Sequence, residues 1–247
     1  MGRETVEILE TGAAALLFAA TFVAGRRVRP FRRFIRNRQS VVSFGAGMSV
    51  AYVFVYLMPE LHGARRAFAK SVPMALPYEG MGVYFLALVG FLVFYGISRA
   101  AARLHGPGDA ERAGPAFKLE IGGFAAYVCV MAYLLLHNLE ETPESILFYA
   151  AAIAFHFLAV DNALRHEHGA VYDRIGRFVL AGACMLGWSA GLLIALPPHT
   201  LALLIAFISG AIIMTSTIME LPTDADGRFV PFVAGGVVYG LILLPLG

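Results

Sequence analysis

Residues 200–220 read TLALLIAFISGAIIMTSTIME, and the only charged side chain in this stretch is the last one, Glu220. A helix needs about 20 consecutive, mostly apolar residues to cross the hydrocarbon core of a bilayer. The stretch is long enough and apolar enough to do so. It therefore predicts a transmembrane helix rather than a helix of a soluble domain.

Seven further stretches of the 247-residue chain have the same character, and they lie at residues 5–25, 41–59, 79–99, 118–137, 145–165, 176–196 and 229–246. Charged residues make up 15% of the chain, whereas a soluble domain carries about 25%, and the mean hydropathy is +0.71. We predict a single all-α domain over residues 1–247, a polytopic integral membrane protein with eight transmembrane helices, which we number spans one to eight.

The basic residues predict the orientation of these spans. The connection 25–39 contains seven arginines, and short cytoplasmic loops collect Lys and Arg. If this loop is cytoplasmic and the spans alternate, fifteen of the nineteen basic residues lie inside. We therefore expect a plasma (inner) membrane protein with both termini outside. A basic run can also bind nucleic acid, but beside a span anionic lipid headgroups explain it better, so the expected partner is the lipid bilayer and not nucleic acid.

Two kinds of glycine-containing segment bear on the organisation. The connection 100–117 contains three glycines and two prolines, which predicts a flexible cytoplasmic loop. Spans six and eight carry small residues four apart, at Gly187 and Gly191 and at Gly236 and Gly240. This spacing lets helix backbones approach closely in lipid. The contacts could form within one chain or between two, which leaves a homodimer open.

Spans two and seven resemble each other. Residues 45–60 read GAGMSVAYVFVYLMPE and residues 209–222 read SGAIIMTSTIMELP. Each begins with small residues and ends with Met, Pro and Glu, and the predicted topology makes them run in opposite directions. This favours an inverted repeat of spans 1–3 and 6–8 around spans 4–5, which is typical of transporters with a site near the midplane. Chance similarity of two apolar helices is the alternative.

Span five contains two ionisable residues, His156 near its middle and Asp161 nearer the predicted cytoplasmic end. Ionisable residues inside a span are costly and mark functional sites. The two side chains are about 140° apart around a helix, so they could line adjacent edges of one cavity. Imidazole and carboxylate suit first-row divalent metals. The structural alternatives are a histidine bonded to a neighbour and an ion pair of Asp161 with Arg165, four residues on.

Further donors flank the spans at both membrane surfaces. Span four ends in His137-Asn138-Leu139-Glu140-Glu141 on the predicted outer side. The opposite side has His166-Glu167-His168 after span five and Glu220 after span seven. Donors at both mouths and in the middle are what a cation path requires. A solvated acidic loop is the alternative for residues 137–141, and the other histidines could be ordinary loop residues.

Several of these motifs resemble the ZIP family of divalent-metal transporters. The turn 58–60 looks like the end of the family's second helix, and residues 209–222 look like its seventh. The motif His137-Asn138-x-x-Glu141 is similar to the helix-four motif, and His156 and Asp161 match positions of the helix-five motif. The resemblance implies eight spans, both termini outside and metal ligands on helices four and five.

The chain also departs from the family pattern. Thr142 stands where the family has a glycine, and Phe157 and Val160 replace polar ligand positions. His137 and His156 are nineteen residues apart, which is closer than in the family. The resemblance therefore implies a degenerate metal site.

The predicted function is transport of a divalent metal cation, zinc or similar, by alternating access. The predicted metal ligands are His156, Asp161, His137, Glu141 and Glu220, and the ion is substrate rather than cofactor, so we do not expect an enzyme. One alternative is a non-transporting membrane scaffold or partner protein on the same fold. The other is an intramembrane metal-dependent hydrolase with a general acid/base such as Glu167, although the chain lacks a His-Glu-x-x-His motif.

Overall fold

The computed structural model describes residues 3–25, 38–71, 80–106, 113–137, 143–219 and 228–244. These residues are helical nearly throughout, and no strand occurs among them. The predicted all-α class is therefore confirmed for the described part of the chain.

The described residues form seven continuous helical runs, one of which bends and comprises two helices. The helices are α1 (Arg3–Ala24), α2 (Arg38–Ala51, a π-helical segment Tyr52–Leu57, and Met58–Ser71), α3 (Met81–Leu104), α4 (Pro115–Leu134), α5 (Pro143–Val171), α6 (Arg177–Leu193, joined to α5 by the π-helical segment Tyr172–Gly176), α7 (Pro198–Met214 with a π-helical segment Thr215–Met219) and α8 (Phe229–Leu243).

Five helical runs are long and apolar enough to cross a membrane: Ser43–Ser71, Met81–Leu104, Pro115–Leu134, Ile153–Leu193 and Pro198–Ile218. Two further apolar helices, Ile8–Ala24 and Phe229–Leu243, are shorter. Large apolar side chains point outward, with Leu193 84% and Phe229 77% exposed. Such surfaces are unusual in water but are compatible with an integral membrane protein. The count of eight spans is not confirmed and stays a prediction.

The connection expected between spans five and six is itself helical. Residues 143–193 form one run, and α5 passes into α6 through the π-helical segment. The run bends at Gly169, whose φ is 52° and ψ is −125°. Glycine adopts this left-handed φ at little cost because it has no Cβ. The bend, rather than a loop, separates the two helices.

Contacts with α1 show that α5 and α6 run in opposite directions. Along α5, Phe157 packs against Phe18, and Asp161 lies beside Gly25. Along α6 the order is reversed, since Trp188 donates a hydrogen bond to Thr11 and Arg177 donates one to the Val23 carbonyl. The chain therefore turns back on itself at Gly169.

Glycines bring pairs of helices into backbone contact within the chain. A Cβ added to Gly187 of α6 would lie 2.0 Å from the Cys129 carbonyl oxygen of α4, and one added to Gly47 of α2 would lie 2.0 Å from the Phe232 oxygen of α8. Both distances exclude any larger residue without a helix shift. On α8 the closest approach belongs to Gly235, 2.1 Å from the Phe44 oxygen, rather than to Gly236. The small-residue faces thus pack helices of one chain, and the homodimer stays untested.

The connection between α3 and α4 is shorter than predicted. Helix α3 continues to Leu104 and α4 begins at Pro115, so both ends of the interval 100–117 are helical. Proline is favoured in the first turn of a helix because its missing N–H has no partner there. Residues 107–112 of the predicted flexible loop lie outside the described residues.

Candidate functional site

A buried polar cluster surrounds His156 in the interior of the helix bundle. His156 is 2% exposed; its Nε2 lies 2.7 Å from the Tyr127 hydroxyl of α4 and its Nδ1 lies 3.4 Å from the Ser49 hydroxyl of α2. The Ser49 oxygen is in turn 3.0 Å from the Ser216 oxygen of α7. We call His156, Tyr127, Ser49 and Ser216 the central cluster, and it joins four helices.

The central cluster satisfies its own hydrogen bonds. A neutral imidazole donates through one nitrogen and accepts through the other, and a hydroxyl can do either. Tyr127 and Ser49 therefore serve both ring nitrogens of His156, and Ser216 extends the chain of bonds. Buried polar groups are stable only when paired in this way. The cluster contains no carboxylate, and it could offer a ligand one ring nitrogen and three hydroxyl oxygens.

Irregular helix segments lie next to the central cluster. The π-helical segment of α2 begins at Tyr52, three residues after Ser49, and that of α7 contains Ser216. Thr215, beside Ser216, donates to the carbonyl oxygens of Ala211 and Ile212 of its own helix. Among the three hydroxyl residues 215–217, the central cluster therefore uses Ser216. Short π-helical segments are often found at functional sites.

Asp161 belongs to a different network, on the predicted cytoplasmic side. Arg165 donates from Nη2 to both of its carboxylate oxygens at 2.8 Å, and the Tyr172 hydroxyl donates to Oδ1 at 2.7 Å. Arg165 also pairs with Asp173. Tyr172 and Asp173 follow the bend at Gly169, so the network ties the two sides of the turn together. The ion pair expected as the structural alternative for Asp161 is what the structure shows.

Asp161 is closely enclosed on its other side. A Cβ added to Gly25 would lie 2.4 Å from Oδ2 of Asp161, so the end of α1 packs directly on the carboxylate. Arg165 borders an open cleft of about 580 Å³, which is also lined by Gly169, Ala170, Asp173 and Arg174. The hydrogen bonds of Asp161 run to Arg165 and Tyr172, whereas those of His156 run to Tyr127 and Ser49. The two residues of span five thus belong to separate polar groups.

A third polar group lies where α4 begins and α5 ends. Glu120 and His168 are fully buried, and Oε2 of Glu120 lies 2.8 Å from Nε2 of His168. One ligand atom from each of Glu120, Glu167 and His168 lies within 4.8 Å of the others. The His105 ring stacks on that of His168 at 5.4 Å, and its Nδ1 is 3.9 Å from Glu167. We call Glu120, Glu167, His168 and His105 the end cluster.

The remaining predicted site residues are not brought together. His137 is half-buried at the end of α4, where its Nδ1 lies 3.2 Å from the Tyr133 carbonyl oxygen and its ring stacks on the Tyr133 ring at 4.7 Å. It therefore contacts its own helix. Glu141 and Glu220 lie outside the described residues. Of the five predicted ligands, His156, Asp161 and His137 have described positions, and each has a different set of partners.

Sequence reasoning missed Glu120 as a site residue. It lies inside predicted span four, and the same rule that selected His156, an ionisable group within a span, would have selected it. Ser49 carried no such signal. The run Thr215-Ser216-Thr217 of span seven does indicate possible oxygen ligands, although serine and threonine in such helices usually bond their own backbone.

No protein-family model, curated protein or solved structure matches the chain. The resemblance to the ZIP family stays a prediction. The chain is an all-helical protein over its described residues, with five helical runs able to span a membrane.

Proposed function

We propose that the chain is a ZIP-like membrane transporter of divalent metal cations, zinc or a similar ion, that works by alternating access. The observation that carries the proposal is the central cluster, in which α2, α4, α5 and α7 each contribute a polar side chain to the buried interior. Four helices that only had to pack against one another would not need these groups. A transported cation needs ligands from several helices. The site that these ligands form must open and close again as the helices move.

The helix pairing supports an inverted repeat. An exchange of α1–α3 with α6–α8 would convert the close α2–α8 pair, with Gly47 against Phe232, into the α7–α3 pair. That second pair is equally close, since a Cβ on Gly90 of α3 would lie 2.0 Å from the Phe207 oxygen of α7. The π-helical segments of α2 and α7 are exchanged by the same operation. Repeats of this kind allow one group of helices to move against the other.

The charges of the interior suggest how a cation would be handled. The central cluster offers neutral donors, which hold a divalent cation weakly enough to release it. Asp161 lies about 7.5 Å further along α5 and supplies a negative charge that Arg165 compensates in this conformation. Because Arg165 contacts both Asp161 and Asp173, a shift toward Asp173 would free Asp161 for the cation.

Uptake into proteoliposomes tests the proposal. Zinc, manganese, iron(II) and cadmium are offered to vesicles that contain wild type, His156→Ala or His62→Ala. His62 is an exposed histidine that bonds to Tyr84, and it serves as the matched control. We expect saturable flux in wild type and His62→Ala and its loss in His156→Ala. Absence of flux for every metal, with circular dichroism showing intact helices, would refute transport.

A non-transporting scaffold is the second candidate. It is favoured by the full compensation of Asp161 by Arg165 and Tyr172, and by a central cluster that contains a single imidazole. A scaffold would give no flux for any metal. The hydrolase alternative needs at least three metal ligands around an open cleft, and the cleft beside Arg165 is lined by no histidine among the described residues.

A further inference from the structure

The end cluster contains buried polar atoms that lack partners. Glu120 and His168 contact each other through one atom each, and both are fully buried. The other polar atoms, Oε1 of Glu120 and Nδ1 of His168, make no hydrogen bond within the described residues. Unpaired buried polar atoms are rare in folded proteins, because each costs the hydration it has lost. The pair is therefore able to take one more polar partner.

The carboxylates of the end cluster face histidines rather than a lysine or arginine. No lysine or arginine in the described part of the chain forms an ion pair with Glu120 or Glu167. Two neighbouring carboxylates repel each other, and a proton or a cation bound between them relieves the repulsion. The contrast is Asp161, which has an arginine of its own.

The donor types suit a transition metal. Zinc and its neighbours bind imidazole nitrogen and carboxylate oxygen at about 2.0–2.2 Å, which places the ligand atoms of a tetrahedral site about 3.4 Å apart. Those of Glu120, Glu167 and His168 already lie within 4.8 Å of one another. The three ligand atoms would have to move closer together on binding, and the imidazole of His105, whose Nδ1 is 3.9 Å from Glu167, is a candidate for the fourth ligand.

We propose that the end cluster is a binding site for a divalent transition-metal cation such as Zn²⁺. Glu120, Glu167 and His168 are its ligands, with His105 as the fourth. The site is separate from the central cluster, since Glu120 is about 10 Å along α4 from Tyr127 and His168 is about 18 Å along α5 from His156. Its use as the cytoplasmic stage of a transport path rests on the proposed function, whereas metal binding itself does not.

Metal binding to the purified full-length chain in detergent tests the site. The probes are Zn²⁺, by equilibrium dialysis and elemental analysis, and Co²⁺, by its visible absorption when bound to nitrogen and oxygen ligands. The main variant is Glu167→Gln, because it leaves the buried pair of Glu120 and His168 intact and should fold. We expect its affinity to fall at least tenfold. The control His62→Gln should bind as wild type does.

Two further variants test whether the loss of affinity in Glu167→Gln reflects a lost ligand rather than a change elsewhere in the protein. Glu120→Gln and His168→Gln should each abolish the Co²⁺ absorption band, and both keep a side chain of similar size. The proposal is overturned if wild type binds neither ion, or if Glu167→Gln binds both with unchanged affinity and stoichiometry.

The same preparations separate this inference from the proposed function. His156→Ala should keep the end-cluster metal while losing flux. Bound metal without flux in wild type would refute transport but would still support the metal site of the end cluster. Flux in wild type together with unchanged metal binding in Glu167→Gln would refute the metal site of the end cluster but would still support transport.

Discussion

The central cluster and the end cluster each contain a buried histidine, but the two differ in the side chains that pair with it. In the central cluster, the hydroxyls of Tyr127 and Ser49 pair with both nitrogens of His156, and none of the four side chains is a carboxylate. In the end cluster, a buried carboxylate and a buried imidazole each keep an unpaired atom within the described residues. Hydrogen bonds to neutral partners stabilise a closed interior. Unpaired buried polar atoms next to two carboxylates instead favour a site that binds a cation from solution.

The Asp161 network contrasts most sharply with the end cluster, because the guanidinium of Arg165 already pairs with its carboxylate. Replacement of Arg165 by Met removes that cation and leaves Asp161 buried without its charge partner. We expect the free energy of unfolding to fall by about 3 kcal/mol, the lower end of the range for a broken buried ion pair, since Arg165 is partly exposed. Thermal unfolding in detergent measures this, with the exposed Arg174→Met as control. A loss no larger than the control's would contradict a structural role.

Metal should stabilise the protein mainly through the end cluster, because the central cluster is proposed to hold a cation only weakly. At a free metal concentration about 100-fold above Kd, one site adds about 2.7 kcal/mol to the free energy of unfolding. We expect Zn²⁺ to raise the unfolding temperature of wild type and of Tyr127→Phe, but not of Glu120→Gln. If Glu120→Gln were protected as well as wild type, the metal would lie elsewhere.

The substitution Tyr127→Phe removes one hydrogen bond of the central cluster. The change removes the hydroxyl beside Nε2 of His156 and leaves a buried ring nitrogen with one partner fewer. We expect a loss of about 1–2 kcal/mol in the free energy of unfolding, with end-cluster metal affinity unchanged. Denaturant titration and Co²⁺ absorption measure the two effects on one preparation. A parallel loss of Co²⁺ binding would show that the clusters are one site.

Ser216→Ala should have the smallest effect. Its hydroxyl is at the far end of the central chain of bonds, beyond Ser49, and side-chain hydrogen bonds between transmembrane helices average about 0.6 kcal/mol. The matched control is Thr217→Val, which removes a hydroxyl that bonds its own backbone. Unfolding measurements that place the loss for Ser216→Ala well above about 1 kcal/mol would indicate that α7 depends on the cluster for its position.

Much of the local structure could be predicted from the sequence. Helix class follows from long apolar stretches such as residues 200–220, because lipid leaves a lone segment few other ways to satisfy its backbone. The pair of Asp161 and Arg165 follows from spacing along one helix, where residues four apart are neighbours. The bend at Gly169 was not predicted, because the residues around it are polar and resemble a loop.

The sequence alone thus determined the helical class, the apolar character and the identity of His156 as a buried titratable group. Only the tertiary structure decided which side chains contact each buried titratable group. Tyr127 is 29 residues from His156, Ser49 is 107 residues away, and Glu120 is 48 residues from His168. Periodicity specifies neighbours along one helix, whereas contacts between helices depend on which faces fit. Those faces are set by many small contacts, among them the glycine approaches of Gly47 and Gly187, and no single motif encodes them.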